Sequence, residues 1–316
     1  MIIAVASGKG GTGKTTVAVS LALSMAQEYT TSDGTNASAS PEVWLLDCDV
    51  EEPNAGLFLA PAIHRRTTVH QMIPEVNADA CTYCGRCAEV CRFHSIAVIG
   101  KKVLVFPQMC HGCGSCTANC PTGAIREVAR PLGVVESGEA RGIRFVQGIM
   151  NVGEALAVPV IRSVRRELAG ATQPYVAILD APPGTSCPMV ASLRSADIAL
   201  LVTEPTPFGL HDLRIAVDVA RNELGLPVAV VVNRDGVGDA SVDRYCDEQG
   251  LPVVLRIPLE RRIGVAYSDG QPLVDALPEY GPRLRALGAT LAAMVKDQAR
   301  ATAQAAGTQG KERTAL

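Results

Sequence analysis

The stretch GKGGTGKTT, Gly8 to Thr16, directly follows the apolar run IIAVA, and no other feature restricts the fold of this chain more. Glycines at this density let successive backbone N–H groups converge on an anion, and a helix opening just behind them adds its positive N-terminal dipole. Gly8 to Thr15 fits the phosphate-binding pattern G-x-x-x-x-G-K-[ST]. The spacing of apolar residues predicts a strand over 2–6 and a helix from Thr15 to Tyr29. Further apolar runs follow at 43–47 (VWLLD), 175–180 (YVAILD), 198–204 (IALLVTE) and 228–233 (VAVVVN), each succeeded by a helix-compatible segment. That alternation is the pattern of a parallel sheet with crossover helices, an α/β fold.

Between residues 75 and 126 the rhythm stops and eight of the eleven cysteines appear. Cys81, Cys84, Cys87 and Cys91 follow C-x2-C-x2-C-x3-C, and Cys110, Cys113, Cys116 and Cys120 repeat it, the second run ending in Pro121. Three thiolates so spaced wrap three corners of an iron–sulfur cube, and the remote fourth closes the neighbouring one. That rule pairs Cys81, Cys84, Cys87 and Cys120 on one 4Fe-4S cluster, and Cys91, Cys110, Cys113 and Cys116 on another. Paired C-x2-C motifs also make zinc sites, but two triplets with two remote fourths suit cubanes better. Arg92 stands where the first run would have proline, while His94 and His111 lie among sets already complete in cysteine. Two β-prone pieces, SIAVI and KVLVF, join around Gly100 between the runs. The simplest architecture is a P-loop NTPase with a mostly parallel sheet (1–74 and 127–299), interrupted by a small α+β bacterial-ferredoxin-like module (75–126). The polar stretch at 30–41 reads as an exposed loop, and residues 300–316 as a frayed or disordered tail.

Charge narrows the choice of partners. With 29 basic and 32 acidic residues the formal net charge is -3, so no global field attracts nucleic acid or anionic lipid. The cluster Arg162, Arg165 and Arg166 has helical spacing and reads as a solvated face. No window approaches the roughly 18 apolar residues of a membrane span, and the apolar start is too short for a signal peptide, so a cytoplasmic protein without a membrane anchor is expected. In a reducing compartment eleven cysteines argue for metal or redox chemistry rather than disulfides. Cys48 and Cys246 read as small buried residues.

The phosphate loop assigns roles by position. Gly8, Gly10, Gly11, Thr12, Gly13, Lys14, Thr15 and Thr16 would surround the ATP phosphates, with Lys14 reaching the β- and γ-phosphates and the Thr15 hydroxyl on Mg2+. Asp47 and Asp180 end buried strands on the same side, where a hydrated Mg2+ needs carboxylates. Asp180 leads into APPGT, whose Gly184 can present a backbone N–H to the γ-phosphate.

KGGTGKTT, with an additional lysine at Lys9, resembles the deviant phosphate loop of the MinD, ParA, Mrp and nitrogenase iron-protein group, and the cysteine runs extend the likeness to members with an inserted ferredoxin domain. The resemblance covers nearly the whole chain except the loop at 30–41 and the tail. It implies an ATP-sandwich homodimer in which Lys9 reaches the partner's nucleotide. It implies that Asp49, in DCDVEEPN, orients the attacking water, an alternative being a helix cap. It also implies that Asn233, Pro258 and Leu259 contact adenine, although Asn233 is equally a residue of turns. Cys187, seven residues beyond Asp180, resembles the place where the nitrogenase iron protein holds a cluster between subunits; no clear second cysteine completes that pattern.

The leading expectation is therefore a dimeric Mg-ATP-dependent ATPase coupling nucleotide state to electron transfer through two 4Fe-4S clusters, with a redox or cluster-accepting protein as partner. An Mrp-like carrier that delivers an iron–sulfur or other metal cluster is the alternative, followed by a positioning ATPase of MinD or ParA type.

Overall fold

The computed structural model describes residues 1–31 and 41–312, so most of the polar stretch at 30–41 lies outside the described residues. The chain opens with β1 (Ile2–Ala6), the phosphate loop and α1 (Lys14–Thr31), then β2 (Glu42–Asp47) and the short α2 (Ala55–Leu59). A long strand β3 (Ala62–Val76) leads into the cysteine region, which holds α3 (Arg86–Glu89), the hairpin β4 (Ile96–Ile99) and β5 (Lys102–Val105), and α4 (Ser115–Ala118). The chain returns along β6 (Ile125–Ala140) and β7 (Ile143–Met150) to α5 (Val158–Arg166), β8 (Tyr175–Asp180) and α6 (Cys187–Leu193). It closes with β9 (Ile198–Thr203), α7 (Pro207–Val217), β10 (Val228–Asp235), α8 (Ser241–Gln249), β11 (Val253–Pro258), α9 (Arg261–Ser268), α10 (Leu273–Ala276) and α11 (Tyr280–Glu312).

Nine strands form one sheet in the order β11-β10-β9-β1-β8-β2-β7-β6-β3. From β11 to β7 every neighbouring pair is parallel, and β6 and β3 are added antiparallel at the far edge. The central strands β1, β8 and β9 are buried almost throughout because helices cover both faces. Ile3 and Val5 pack against α1, α10 and α11, whereas the alternate Ala4 and Ala6 pack against α6 and α7. Small side chains on the second face let α6 approach the sheet closely, and this brings the APPGT segment beside the phosphate loop.

The β3–β6 ribbon was not foreseen from periodicity. Much of β3 is exposed, so it shows no apolar alternation, and both strands contain a proline, Pro74 and Pro131. Pro131 is tolerated because β7 pairs with β6 only from Gly133 to Ala140, leaving residue 131 with β3 alone beside a register shift. The ribbon ends at the pair Val76–Ile125, so the cysteine region forms its tip.

The last helix runs to Glu312. One expectation is corrected: Arg165 is not on a solvated face with Arg162 and Arg166, because it is half-buried and donates to the Ala191 carbonyl at 2.8 Å, which ties α5 to α6. Burial lowers the pKa of its guanidinium. Cys48 and Cys246 are fully buried, as their apolar surroundings required. Among the described residues no helix is long and apolar enough to cross a membrane.

Candidate functional site

The phosphate loop runs from the end of β1 into α1 in the middle of the sheet, flanked by the carboxyl ends of β8 and β9. Two of its glycines, Gly8 and Gly13, are sterically required. A Cβ on Gly8 would sit 2.3 Å from the Asp212 carbonyl oxygen, and one on Gly13 would sit 2.3 Å from Asn233 Nδ2, at a φ of 89°. The loop lines a cavity of about 880 Å³ that also contacts Asp49, Glu204, Asn233, Pro258 and Leu259. Thr15 and Thr16 face the same cavity.

Three carboxylates gather around Lys14. Its ammonium contacts Asp180 Oδ1 at 2.7 Å and Asp49 Oδ2 at 3.9 Å. Burial alone would lower the pKa of Lys14, but Asp180, and then Asp49 and Asp47, outweigh it and raise it. Asp47 accepts from the backbone N–H groups of Asp49 (3.1 Å) and Ala55 (2.9 Å), so it folds the segment after β2 around itself. Complete burial, and then the charge of Asp180, push its carboxyl up to about 8; burial likewise pushes Asp49 up to about 6, opposed by Lys14. Asp180 Oδ2 and Thr12 Oγ1 are buried without a hydrogen-bond partner. A pocket with such uncompensated acceptors fits a divalent cation.

Other expected site residues make contacts within the chain. The Gly184 N–H donates to the Ser7 carbonyl at 3.1 Å, and Gly184 has a φ of 91°. Lys9 pairs within its own chain with Glu204, which also binds Arg234 at 2.9 Å. Asn233 donates to the Thr12 carbonyl at 2.7 Å, while Arg234 donates to that of Gly11 at 3.0 Å. Pro258 and Leu259 line the wall facing the loop, together with Ile263 and Tyr267 of α9. Glu204, Arg234, Ile263 and Tyr267 were missed from sequence. Glu204 follows β9, so the strand-end rule that marked Asp47 and Asp180 would have found it.

The second site occupies the ribbon tip. Cys81, Cys84, Cys87 and Cys120 line one small pocket with Pro121 and Thr122. Cys87 also neighbours Cys116, which in turn neighbours Cys110. The two runs repeat one another in three dimensions. Each begins a one-turn helix behind a left-handed glycine, Gly85 or Gly114. Each ends in a left-handed residue three positions after its last cysteine, His94 or Gly123, so that the next N–H turns back to the thiol. Ser95 N donates to Cys91 Sγ and Ala124 N to Cys120 Sγ, both at 3.3 Å. Such donors outweigh burial and lower the pKa of both thiols, which favours the thiolate form a metal ligand needs.

Only Ile96, Cys87 and Cys110 within the module proper are fully buried apolar side chains besides Ala124 and Ile125 at its exit. So thin a core calls for cross-links, and a cluster bound by four thiolates is one. Among the described residues no three potential ligands gather closely enough for a single metal ion; four thiols instead line one pocket, the donor set a 4Fe-4S cluster takes. Arg92 is exposed, and His111 stacks on Phe93 with centroids 3.6 Å apart. Cys187 is exposed at the start of α6, beyond both thiol sets.

Comparison with known proteins agrees with both sites. Residues 1–83 match the family of NUBPL iron-transfer P-loop NTPases, and residues 72–121 match 4Fe-4S dicluster domains. An uncharacterized protein of Methanocaldococcus jannaschii is 30% identical over 240 residues, covering 76% of this chain and 80% of that one. An iron–sulfur cluster carrier protein of Pseudomonas fragi is 25% identical over 292 residues, covering 88% and 79%. The solved cell division ATPase MinD of Pyrococcus furiosus has a TM-score of 0.53 and 18% identity, covering 92% of this chain and 98% of that one, a likeness of fold.

Proposed function

We propose a function for a chain that belongs to the ParA/MinD family of P-loop NTPases and bears an inserted 4Fe-4S dicluster module: it is an ATP-hydrolysing carrier of iron–sulfur clusters. The observation that carries this reading is the exposure of one thiol in each set, Cys84 and Cys113. A cluster held there has a corner at the surface, where thiolates of an acceptor can exchange for those of the carrier. The name of the P. fragi relative points the same way.

In this reading ATP enters the cavity beside the phosphate loop, with Pro258, Leu259 and Asn233 at the purine end. The backbone N–H groups of Gly10 to Thr16 cradle the phosphates. Lys14 exchanges Asp180 for phosphate oxygens, which frees both carboxylate oxygens of Asp180. Thr15, Asp47 and Asp180 would hold Mg2+, which when bound neutralises charge between the phosphates. Asp49 accepts a hydrogen bond from the attacking water and holds it in line, which requires its carboxylate form. Gly184 leaves the Ser7 carbonyl to meet the γ-phosphate, and its movement carries the α6 N-terminus with it. Lys9, released from Glu204, reaches across a homodimer. Nucleotide controls cluster release only insofar as it binds the two arrangements unequally.

The test is anaerobic transfer. Protein loaded with radioactive iron is mixed with an apo-enzyme that requires a 4Fe-4S cluster, with and without Mg-ATP, for wild type and Lys14→Ala. Transfer that Mg-ATP accelerates only in wild type supports the carrier. Iron retained through many ATP turnovers refutes it.

Retained iron would favour the second reading, nucleotide-gated electron transfer. Its support is the strand path between the sites: Asp47 is in register with Gln147 of β7, Gln147 contacts Glu136 of β6, and β6 leads to the module. A shift of cluster reduction potential on adding an ATP analogue is the corresponding measurement.

A further inference from the structure

From Val90 through Arg126 the chain contains no aspartate or glutamate, although acidic residues outnumber basic ones over the whole chain. The same stretch contains Arg92, Lys101, Lys102 and Arg126 with His94 and His111. Arg126 pairs with Glu75, but among the described residues Arg92, Lys101 and Lys102 make no ion pair. The nearest carboxylates of the first cysteine run, Asp79 and Glu89, precede this stretch, and Glu89 pairs with Arg86.

These cations rim an apolar surface. The hairpin β4–β5 buries Ile96 and packs Val98, Val103 and Val105 inward, which turns Ile99 and Leu104 outward. Phe106 continues the outward row of Leu104, Met109 donates its N–H to the Phe106 carbonyl, and Phe93 stacks on His111. Ile99, Leu104, Phe106, Met109 and Phe93 are each between 38% and 64% exposed. A concentration of large exposed apolar side chains with the unpaired cations Arg92, Lys101 and Lys102 beside it, and one carboxylate, Glu127, against Gly114, is the composition of a docking face. It also adjoins cluster ligands: Phe106 N donates to the Ser95 carbonyl, and Ser95 binds Cys91 Sγ through its backbone N–H and its hydroxyl.

We propose that this face docks a soluble one-electron donor protein whose own contact surface is acidic around an apolar centre. The occupant follows from charge complementarity and place. Unpaired cations steer an acidic surface, the apolar row fixes it, and docking there brings a redox centre to the second thiol set, Cys91, Cys110, Cys113 and Cys116. A 4Fe-4S cluster held by that set would take one electron from the donor, which would be oxidised by one unit, with no proton or bond changing hands. The inference rests on the reading that the module holds clusters, and it gives that module a partner.

The test uses the cluster-loaded full chain, with a reduced plant-type two-iron ferredoxin of acidic surface as probe. Binding is followed by sedimentation and electron transfer by stopped-flow, at low and high salt. Lys101→Glu/Lys102→Glu and Leu104→Ser are compared with wild type, and reduction by a neutral deazaflavin radical controls for access to the clusters. The association rate with the acidic probe is expected to fall about tenfold from low to high salt in wild type. The charge variant should be slower by a similar factor at low salt and insensitive to salt, and Leu104→Ser should weaken binding at every salt concentration. All three proteins should be reduced equally by deazaflavin.

Probe rates that ignore salt and both variants overturn the proposal. So does self-association of the wild type through this face that Leu104→Ser abolishes, or equal competition by anionic vesicles or duplex DNA. Iron content separates the two levels: a chain without clusters refutes the cluster reading and the docking proposal together. A fully loaded chain indifferent to the face refutes docking alone.

Discussion

Lys14 and Asp180 meet at 2.7 Å with both side chains buried, so the residue expected to grip phosphate is held by the residue expected to support the metal. The contact joins the start of α1 to the end of β8, and it means that phosphate binding must exchange one buried ion pair for another. Removing one member of a buried pair leaves the other charge uncompensated. Lys14→Ala is therefore expected to lower ATP hydrolysis at least about 100-fold and to destabilise the fold by about 3 kcal/mol. Adding Asp180→Asn should restore much of the stability and none of the activity. Denaturant unfolding and steady-state ATPase assays on the double-mutant cycle measure both; additive stability losses would show that the pair is uncoupled.

Gly184 has a φ of 91°, and a Cβ placed there meets nothing within 4 Å. Its cost as alanine is thus one of backbone conformation alone, about 1–2 kcal/mol. In the proposed mechanism its N–H moves from the Ser7 carbonyl toward phosphate, so Gly184→Ala should also slow hydrolysis while the iron content stays at the wild-type value. Thermal unfolding and kcat are the measurements, and an unchanged kcat would remove Gly184 from the switch.

The carboxyls of Asp47 and Asp49 are raised to about 8 and about 6, chiefly by burial beside other acids. Their folded values exceed the unfolded value of 3.8, so the folded chain binds more protons across this interval and loses stability as pH rises. Without divalent cations, the protein should unfold at a lower temperature at pH 8 than at pH 6. Asp47→Asn should flatten this slope and raise stability at pH 8 by about 1–3 kcal/mol, while abolishing the protection conferred by Mg-ATP. Calorimetry in EDTA across pH 5 to 8 is the check.

Cys84 lines the thiol cavity, whereas Cys187 lies outside both sets. Cys84→Ser should reduce iron and acid-labile sulfide from about eight to about four per chain, since the other set is intact. Cys187→Ser should leave both at their wild-type values. Anaerobic iron and sulfide determination with EPR of the reduced protein distinguishes these outcomes, and iron lost from Cys187→Ser would place a cluster at α6.

The α/β class, the parallel core strands, the phosphate loop and both cysteine runs could be read from the chain because each depends on local order. A glycine loop between strand and helix, or thiols two residues apart, carries its geometry in its spacing. The four cysteines that the spacing rule groups, Cys81, Cys84, Cys87 and Cys120, line one pocket. The β3–β6 ribbon could not be read so, because an exposed edge strand has no apolar alternation to announce it. Nor could the partners of Lys9: Glu204 is 195 residues away, and only the adjacency of β1 and β9 brings them together.

The sequence by itself thus determined the chemical groups available to this protein, a phosphate cradle and eight thiols, since these are properties of neighbours along the chain. Tertiary structure alone decided what those groups touch. Packing helices on both faces of the parallel sheet aligns the ends of β1, β2, β8 and β9, so that Lys14 meets Asp180, Lys9 meets Glu204, and Gly184 meets Ser7. Contacts between distant segments follow from strand order and close packing, which no local pattern encodes.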